Sequence, residues 1–188
     1  MIKLHFEEVL DFPRDMVFEV LRDRLLEYTK YVPNLKYVKI LDRKKLSADK
    51  LQMRAEWMGH GDIPFLVRAL LKPDMIKWKD VSVWDAKKYS CSWEIETFYF
   101  NEFFKCKGEW ELHEEDEDET RIEMTGSLHI YIPHFPGVPD RIAQAAGGLI
   151  EKFLLRYLEP NLRENYKAVQ KFLEQESTKK KSRTKSKR

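Results

Sequence analysis

The chain has 188 residues, 13 % of them aromatic and 35 % charged, and a formal net charge of +2, which fits one domain large enough to bury a substantial core. No apolar run is long enough to span a bilayer, and the opening MIKLHFEEVLD, with alternating polarity and early acids, does not read as a signal peptide, so a cytoplasmic protein is expected. Two cysteines, Cys91 and Cys106, fit neither a disulfide scaffold nor a zinc site, and no metal or other cofactor is expected.

In chain order, Ile2, Leu4, Phe6 and Leu10 fall on even positions, the period of a half-buried strand. Pro13 suits a first helical turn, and Val17, Phe18, Val20 and Leu21 then form an apolar stripe at helical spacing. Leu25, Leu26 and Tyr28 continue it in a second short helix, which Pro33-Asn34 stops. Leu35 to Asp42 reads as a strand. In the next, Leu51, Met53, Ala55 and Trp57 alternate with Gln52, Arg54 and Glu56. Asp62 to Pro73 breaks the series as a short amphipathic helix or lid, and Met75 to Trp84 resumes it.

Cys91, Trp93, Ile95 and Thr97 line one face of the following strand; Phe104, Cys106, Gly108, Trp110 and Leu112 line one face of its successor. A two-residue turn at Asn101-Glu102 would set Trp93 opposite Trp110 and Ile95 opposite Gly108, with both apolar faces on one side. The acidic run Glu114 to Glu119 reads as a loop. Ile122, Met124, Leu128, Ile130 and Ile132 mark the last strand, with Gly126 where strong curvature is tolerated.

After a proline-rich corner, His134 to Pro139, the span Gly137 to Glu176 reads as one long helix kinked at Pro160. Gly147-Gly148 inside it costs about 1 kcal/mol per glycine relative to alanine, which close approach of a ligand or the sheet would explain. Residues 1–176 are therefore expected to form the domain, and 177–188 a disordered basic tail. That tail holds seven Lys/Arg and no acid, leaving 27 basic against 32 acidic side chains, about −5, in the part before it. A mildly acidic domain with a detachable tail is not a basic-faced nucleic-acid-binding domain. The tail is either a solubilising segment, one folding back on the acidic loop, or a peripheral contact with anionic membrane or nucleic acid.

The order of strand, short helices, several strands and long C-terminal helix resembles the helix-grip fold of the START-like (SRPBCC) superfamily. Leu10-Asp11-Phe12-Pro13 followed by Val17-Phe18 and Leu21 looks like its strand-to-helix entry, and Tyr28 to Arg43 like its passage into the second strand. Trp110-Glu111-Leu112, the acidic turn and Thr120-Arg121-Ile122 are similar to the paired late strands of polyketide cyclase-like and coenzyme Q-binding members. The resemblance implies an α+β architecture, a curved antiparallel sheet wrapped around a long C-terminal helix with two short helices after the first strand. It also implies an enclosed apolar cavity that takes an apolar small molecule or lipid. In some members cyclisation or dehydration occurs there.

On that architecture Phe6, Trp57, Trp78, Trp93, Phe104, Trp110, Met124, Leu149, Phe153 and Tyr157 are the expected ligand-lining residues, against the plain alternative of ordinary core. No residue is assigned a catalytic role; Glu8, His60 and Asp80 are the candidates for one. Glu8 lies on the even face of the first strand, where a buried carboxylate must be paired or neutralised. A β-bulge turning Val9 inward, or a structural hydrogen bond, is the preferred account of it. Asp80 shares an even face with Ile76, Trp78 and Trp84 and invites the same reasoning. His60 and Asp62 could form an acid–base pair, though a polar glycine turn accounts for them more simply. His129 is expected to face solvent, and His134 to be a loop residue. There is no phosphate-cradling glycine loop, no nucleophile elbow and no zinc-helix motif, and the acidic run lacks calcium-loop spacing. The expected function is binding or transport of an apolar small molecule or lipid. The alternatives are a cyclase/dehydratase acting on a polyketide-like carbonyl compound, and an interaction module recruiting membrane or nucleic acid through its tail.

Overall fold

The computed structural model describes residues 1–59, 76–98, 104–130 and 162–179, together with the helical positions Arg141 and Arg156. The first strand, β1 (Ile2–Leu10), buries Leu4, Phe6 and Leu10 and exposes Lys3, His5, Glu7 and Val9, as its alternation predicts. Pro13 is the N-cap of α1 (Arg14–Asp23), and its carbonyl accepts from the amides of Met16 (3.0 Å) and Val17 (3.1 Å). The missing N–H of proline does no harm there, because no helical acceptor awaits it. Val17, Phe18, Val20 and Leu21 form the buried stripe of α1; α2 (Leu25–Tyr28) buries Leu25 and Tyr28 and runs into a 3-10 turn, Thr29–Tyr31.

Six strands follow: β2 (Leu35–Lys45), β3 (Lys50–Gly59), β4 (Lys77–Asp85), β5 (Ser90–Thr97), β6 (Phe104–Asp116) and β7 (Glu119–Ile130). With β1 they make one antiparallel sheet in the order β1-β7-β6-β5-β4-β3-β2. β1 and β2 thus lie at opposite ends of the strand order, and α1 and α2 carry the chain between them. A final helix, α3, covers residues 162–179. Its Tyr166, Ala168, Val169, Phe172 and Leu173 share one core cluster with the stripes of α1 and α2 and with Leu10, Met53, Ala55, Trp84, Cys91, Leu112 and Ile122 from the sheet. Edge-to-face aromatic contacts bind the layers, Phe18 to Trp84 (5.6 Å), Trp84 to Trp110 (5.9 Å) and Trp110 to Tyr166 (6.0 Å).

Four sequence expectations change. The acidic run is not a loop: β6 reaches Asp116 and β7 starts at Glu119, leaving a tight turn at Glu117 and Asp118. Arg14 on Glu114 (2.8 Å) and Arg121 on Glu115 offset the repulsion that argued against a ladder. The β5–β6 register pairs Trp93 with Gly108, Ile95 with Cys106 and Cys91 with Trp110, two residues from the expected pairing of Trp93 with Trp110 and Ile95 with Gly108. The reason is steric. A Cβ on Gly108 would lie 2.6 Å from Trp93 Cζ2 and one on Gly126 3.2 Å from the same atom, so the indole lies across two facing glycines that leave it room. The pairing of β1 with β7 runs without interruption from Ile2 to Leu10, and Val9 is 53 % exposed, so no bulge turns Val9 inward and Glu8 stays on the inner side. Finally, α3 extends past Glu176 through Lys179, with the Thr178 hydroxyl donating to the Glu174 carbonyl (2.9 Å), so the expected start of the tail is helical.

The lid at Asp62–Pro73, the turn at Asn101-Glu102, Ile132, the His134–Pro139 corner, Gly147-Gly148, the Pro160 kink and the tail beyond Lys179 lie outside the described residues. Among the described residues no helix is long and apolar enough to cross a membrane.

Candidate ligand-binding site

Because the pairs from β3 through β1 are antiparallel and regular over these residues, the side chains of the inner face form rows across the sheet. One row runs Leu51, Trp84, Cys91, Trp110, Met124, Phe6; the next runs Met53, Ser82, Trp93, Gly108, Gly126, Leu4. A third runs Ala55, Asp80, Ile95, Cys106, Leu128, Ile2, and beyond it stand Trp57, Trp78 and Thr97, with Phe104 opposite Ile130. The first row is nearly sealed: Trp84, Cys91, Met124 and Phe6 are all buried. In the later rows Ala55, Cys106 and Leu128 are buried, whereas Trp57, Trp78, Trp93, Ile95 and Phe104 keep part of their surface open. Trp57 and Trp78, cross-strand partners, stack at 6.1 Å and 10°.

Asp80 is the polar member of the third row, between Ala55 on β3 and Ile95 on β5. It is part-buried, and among the described residues nothing hydrogen-bonds or ion-pairs with its carboxyl. Desolvation alone pushes that carboxyl up to about 7. Its charge is felt by Tyr28 of α2 and Cys91 of β5, whose hydroxyl and thiol are pushed up mainly by burial and further by Asp80. Asn165 of α3 lies within hydrogen-bonding range of the Tyr28 hydroxyl and pulls the other way. Tyr166, also on α3, is pushed up by burial and then by the charge of Glu8. Burial pushes the Cys106 thiol up to about 12. Neither cysteine is a ready nucleophile.

Glu8 is held differently. Its carboxylate accepts from Arg163 Nη1 at 2.6 Å, an ion pair that pins α3 to β1. Gln170 strengthens the same junction by accepting from the Asp11 amide (3.1 Å) and donating to its carboxylate (3.2 Å). Among the described residues Glu8 is thus paired and Asp80 is not. His60 and Asp62 lie outside the described residues, as do Leu149, Phe153 and Tyr157. His129 is part-buried on the outer side, paired across the strands with Lys105. Also on the outer side, ligand-capable atoms of His5, Glu7 and Glu123 lie within 4.8 Å of one another. Arg121 Nη1 already sits 3.5 Å from Glu7 and 3.3 Å from Glu123 and supplies the counter-charge.

The indole nitrogens of Trp57, Trp84, Trp93 and Trp110 and the Tyr166 hydroxyl are buried without a hydrogen-bond partner. Neighbouring side chains seal these atoms, so they cost stability without facing open space. Sequence reasoning missed Tyr28, Asn165, Arg163 and Tyr166. Their spacing marks them as members of helical faces, and nothing in a helical period says which polar tip reaches the sheet.

No protein-family model matches the chain, and no curated protein sequence does. Solved structures do. TTHA0849 from Thermus thermophilus aligns at 18 % identity and a TM-score of 0.66, covering 94 % of this chain and 99 % of that one. The START superfamily protein from Mycobacterium smegmatis aligns at 11 % identity and a TM-score of 0.50, covering 92 % and 97 %. The chain has the START-like helix-grip fold. The Zhui aromatase/cyclase from Streptomyces sp. R1128 shares this fold at 18 % identity and a TM-score of 0.55, covering 89 % of this chain and 95 % of that one. So does norcoclaurine synthase from Thalictrum flavum, solved with dopamine and hydroxybenzaldehyde, at 12 % identity and a TM-score of 0.58, covering 93 % and 87 %.

Proposed function

We propose that this protein binds an apolar small molecule against the inner face of its sheet, over the rows that hold Trp57, Trp78, Trp93, Ile95 and Phe104. The observation that carries this reading is the uneven burial of a mostly apolar face. Toward α1 and α3 its side chains are sealed, whereas around Asp80 large aromatic and aliphatic groups keep open surface. Apolar surface removed from water stabilises a complex by roughly 25 cal/mol per Å², so a planar apolar ligand is the natural occupant. Asp80 supports it too. A carboxyl that is desolvated, without a partner among the described residues and still partly open is what lines a recess. Norcoclaurine synthase, which shares this fold, is known in complex with dopamine and hydroxybenzaldehyde, two small organic molecules.

The neutral dye Nile red tests the reading. Saturable uptake at one site per chain, with a blue-shifted emission and competition by other apolar molecules, is expected. Replacing Ile95 and Trp78 by charged residues should abolish it while the fold persists. Absence of saturable uptake by the folded wild type would overturn the proposal.

A second reading has its own observation. An acid that titrates near neutrality can take and return a proton, so a cyclase or dehydratase using Asp80 on a bound carbonyl compound is chemically competent. It predicts that Asp80→Asn abolishes turnover and leaves ligand affinity nearly unchanged.

A further inference from the structure

We propose that the ligand of the inner face is a hydrophobic amine, with the Asp80 carboxylate as its counter-ion and the surrounding tryptophans as the walls that hold its cationic end. This rests on the binding reading above and narrows it to a chemical class.

The argument starts from position. Asp80 stands in the middle of the sheet, on β4, with β3 and β5 on either side. Along β4 its same-face neighbours are Trp78 and Ser82; its diagonal neighbours are Trp57 opposite Trp78 and Trp93 opposite Ser82. Diagonal pairs lie roughly 7–8 Å apart, within reach of long aromatic side chains. The directly opposite residues are Ala55 and Ile95, and the fully buried Ala55 offers the smallest apolar side chain in the row. A single carboxyl thus shares its face with Trp78 and Trp57, while the Trp93 indole lies across Gly108 and Gly126 on the side away from β4, and among the described residues no cation reaches it.

The other inner-face acid shows how the chain builds an internal pair, since Glu8 receives Arg163 at 2.6 Å. Among the described residues Asp80 receives nothing comparable. An ionised carboxylate left in apolar surroundings is strongly disfavoured unless a positive charge joins it. Indole faces attract cations and repel anions, so they complement an ammonium group and not a second carboxylate or a phosphate. The indole nitrogens of Trp57 and Trp93 are sealed and offer no donor to an anionic or carbonyl ligand. Asp80, without a partner among the described residues and only part-buried, is the group left for the ligand to meet.

Among the described residues, the charged and titratable groups around Asp80 supply no counter-ion. Tyr28 from α2 and Cys91 from β5 feel its charge, and burial keeps both neutral. β3 presents Ala55 to it. From α3, Asn165 is uncharged and Arg163 is committed to Glu8. Desolvation makes the unpartnered carboxyl titrate near neutral pH, so an arriving ammonium would draw the proton off and form the pair.

The experiment compares phenylbutylamine with phenylbutanol, which differ in the head group alone, as competitors of Nile red on the full chain. At about pH 8 the amine should displace the dye at a concentration about tenfold or more below the alcohol, a difference set by one charge-assisted contact. In Asp80→Asn the two should become equal. Lowering the pH of the wild type to about 5.5, where the amine stays charged and Asp80 is protonated, should erase the preference without any substitution. This second arm decides the matter if the variant fails to fold. Equal displacement by both compounds at pH 8 would leave the apolar site standing and overturn the amine. A preference that survives in Asp80→Asn would place the counter-ion elsewhere and also overturn it. Failure of dye and both compounds to bind would remove the underlying site and this proposal together.

Discussion

The two ends of the inner face are built from the same kinds of residue and finished differently. Toward α1 and α3 the rows of Trp84, Cys91 and Met124 close against Phe18, Leu21, Val169 and Phe172 into a sealed core. Around Asp80 the same alternation continues, yet Trp57, Trp78, Trp93 and Ile95 stay part-exposed. Packing separates the two, not composition. Helices seal the first half; the second half keeps apolar surface open and holds Asp80, an inner-face acid with no partner among the described residues.

That contrast can be broken most forcefully from its sealed side. Leu21→Ala, at a site 1 % exposed, should lower unfolding free energy by about 3–5 kcal/mol, read as a large drop in the urea midpoint at constant slope. Ile95→Ala, on the same face but part-open, should cost about 1 kcal/mol or less. Equal losses would show that both halves are packed alike. Asp80 sharpens the comparison through pH. Its folded-state carboxyl is pushed up to about 7 from an ordinary value of 3.8, so between those limits the folded state binds more protons than the unfolded one. Its contribution to stability therefore falls as pH rises from about 4 through about 7. Asp80→Asn should flatten that part of the stability profile and be more stable than the wild type at about pH 8. A profile that keeps its slope in the variant would assign the effect to another group. The smallest expected change is at the paired acid. Glu8→Gln removes a part-exposed ion pair and should cost about 1 kcal/mol, with a loss that shrinks in high salt.

Much of this architecture could be read from residue order. Period-two alternation put Cys91, Trp93 and Ile95 on the same side as Cys106, Gly108 and Trp110, and the pairing agrees. It also put Asp80 inside. The register between those strands could not be read that way. A shift of two residues keeps every side chain on its face, so alternation cannot detect it, and the room above Gly108 and Gly126 for the Trp93 indole is a three-strand property. Alternation places Glu8 on the inner face yet equally allows a bulge that turns it out, and it does not give Arg163 as the partner, because the two lie 155 residues apart and a helical period gives a face without giving what it meets. The acidic run misled for a related reason. Its charge suggests a solvated loop, whereas Arg14 and Arg121 arrive from other elements to stabilise it as strand.

One feature of the inner face bears on how this protein can be watched. The chain contains five tryptophans, and all five, Trp57, Trp78, Trp84, Trp93 and Trp110, point to the same side of the sheet. The molecule therefore carries a built-in optical gauge. Its ultraviolet glow arises from the surface a guest would cover, so occupancy can be followed by quenching or energy transfer in the unmodified chain. Trp84, sealed beneath the helices, serves as the internal reference for the rest.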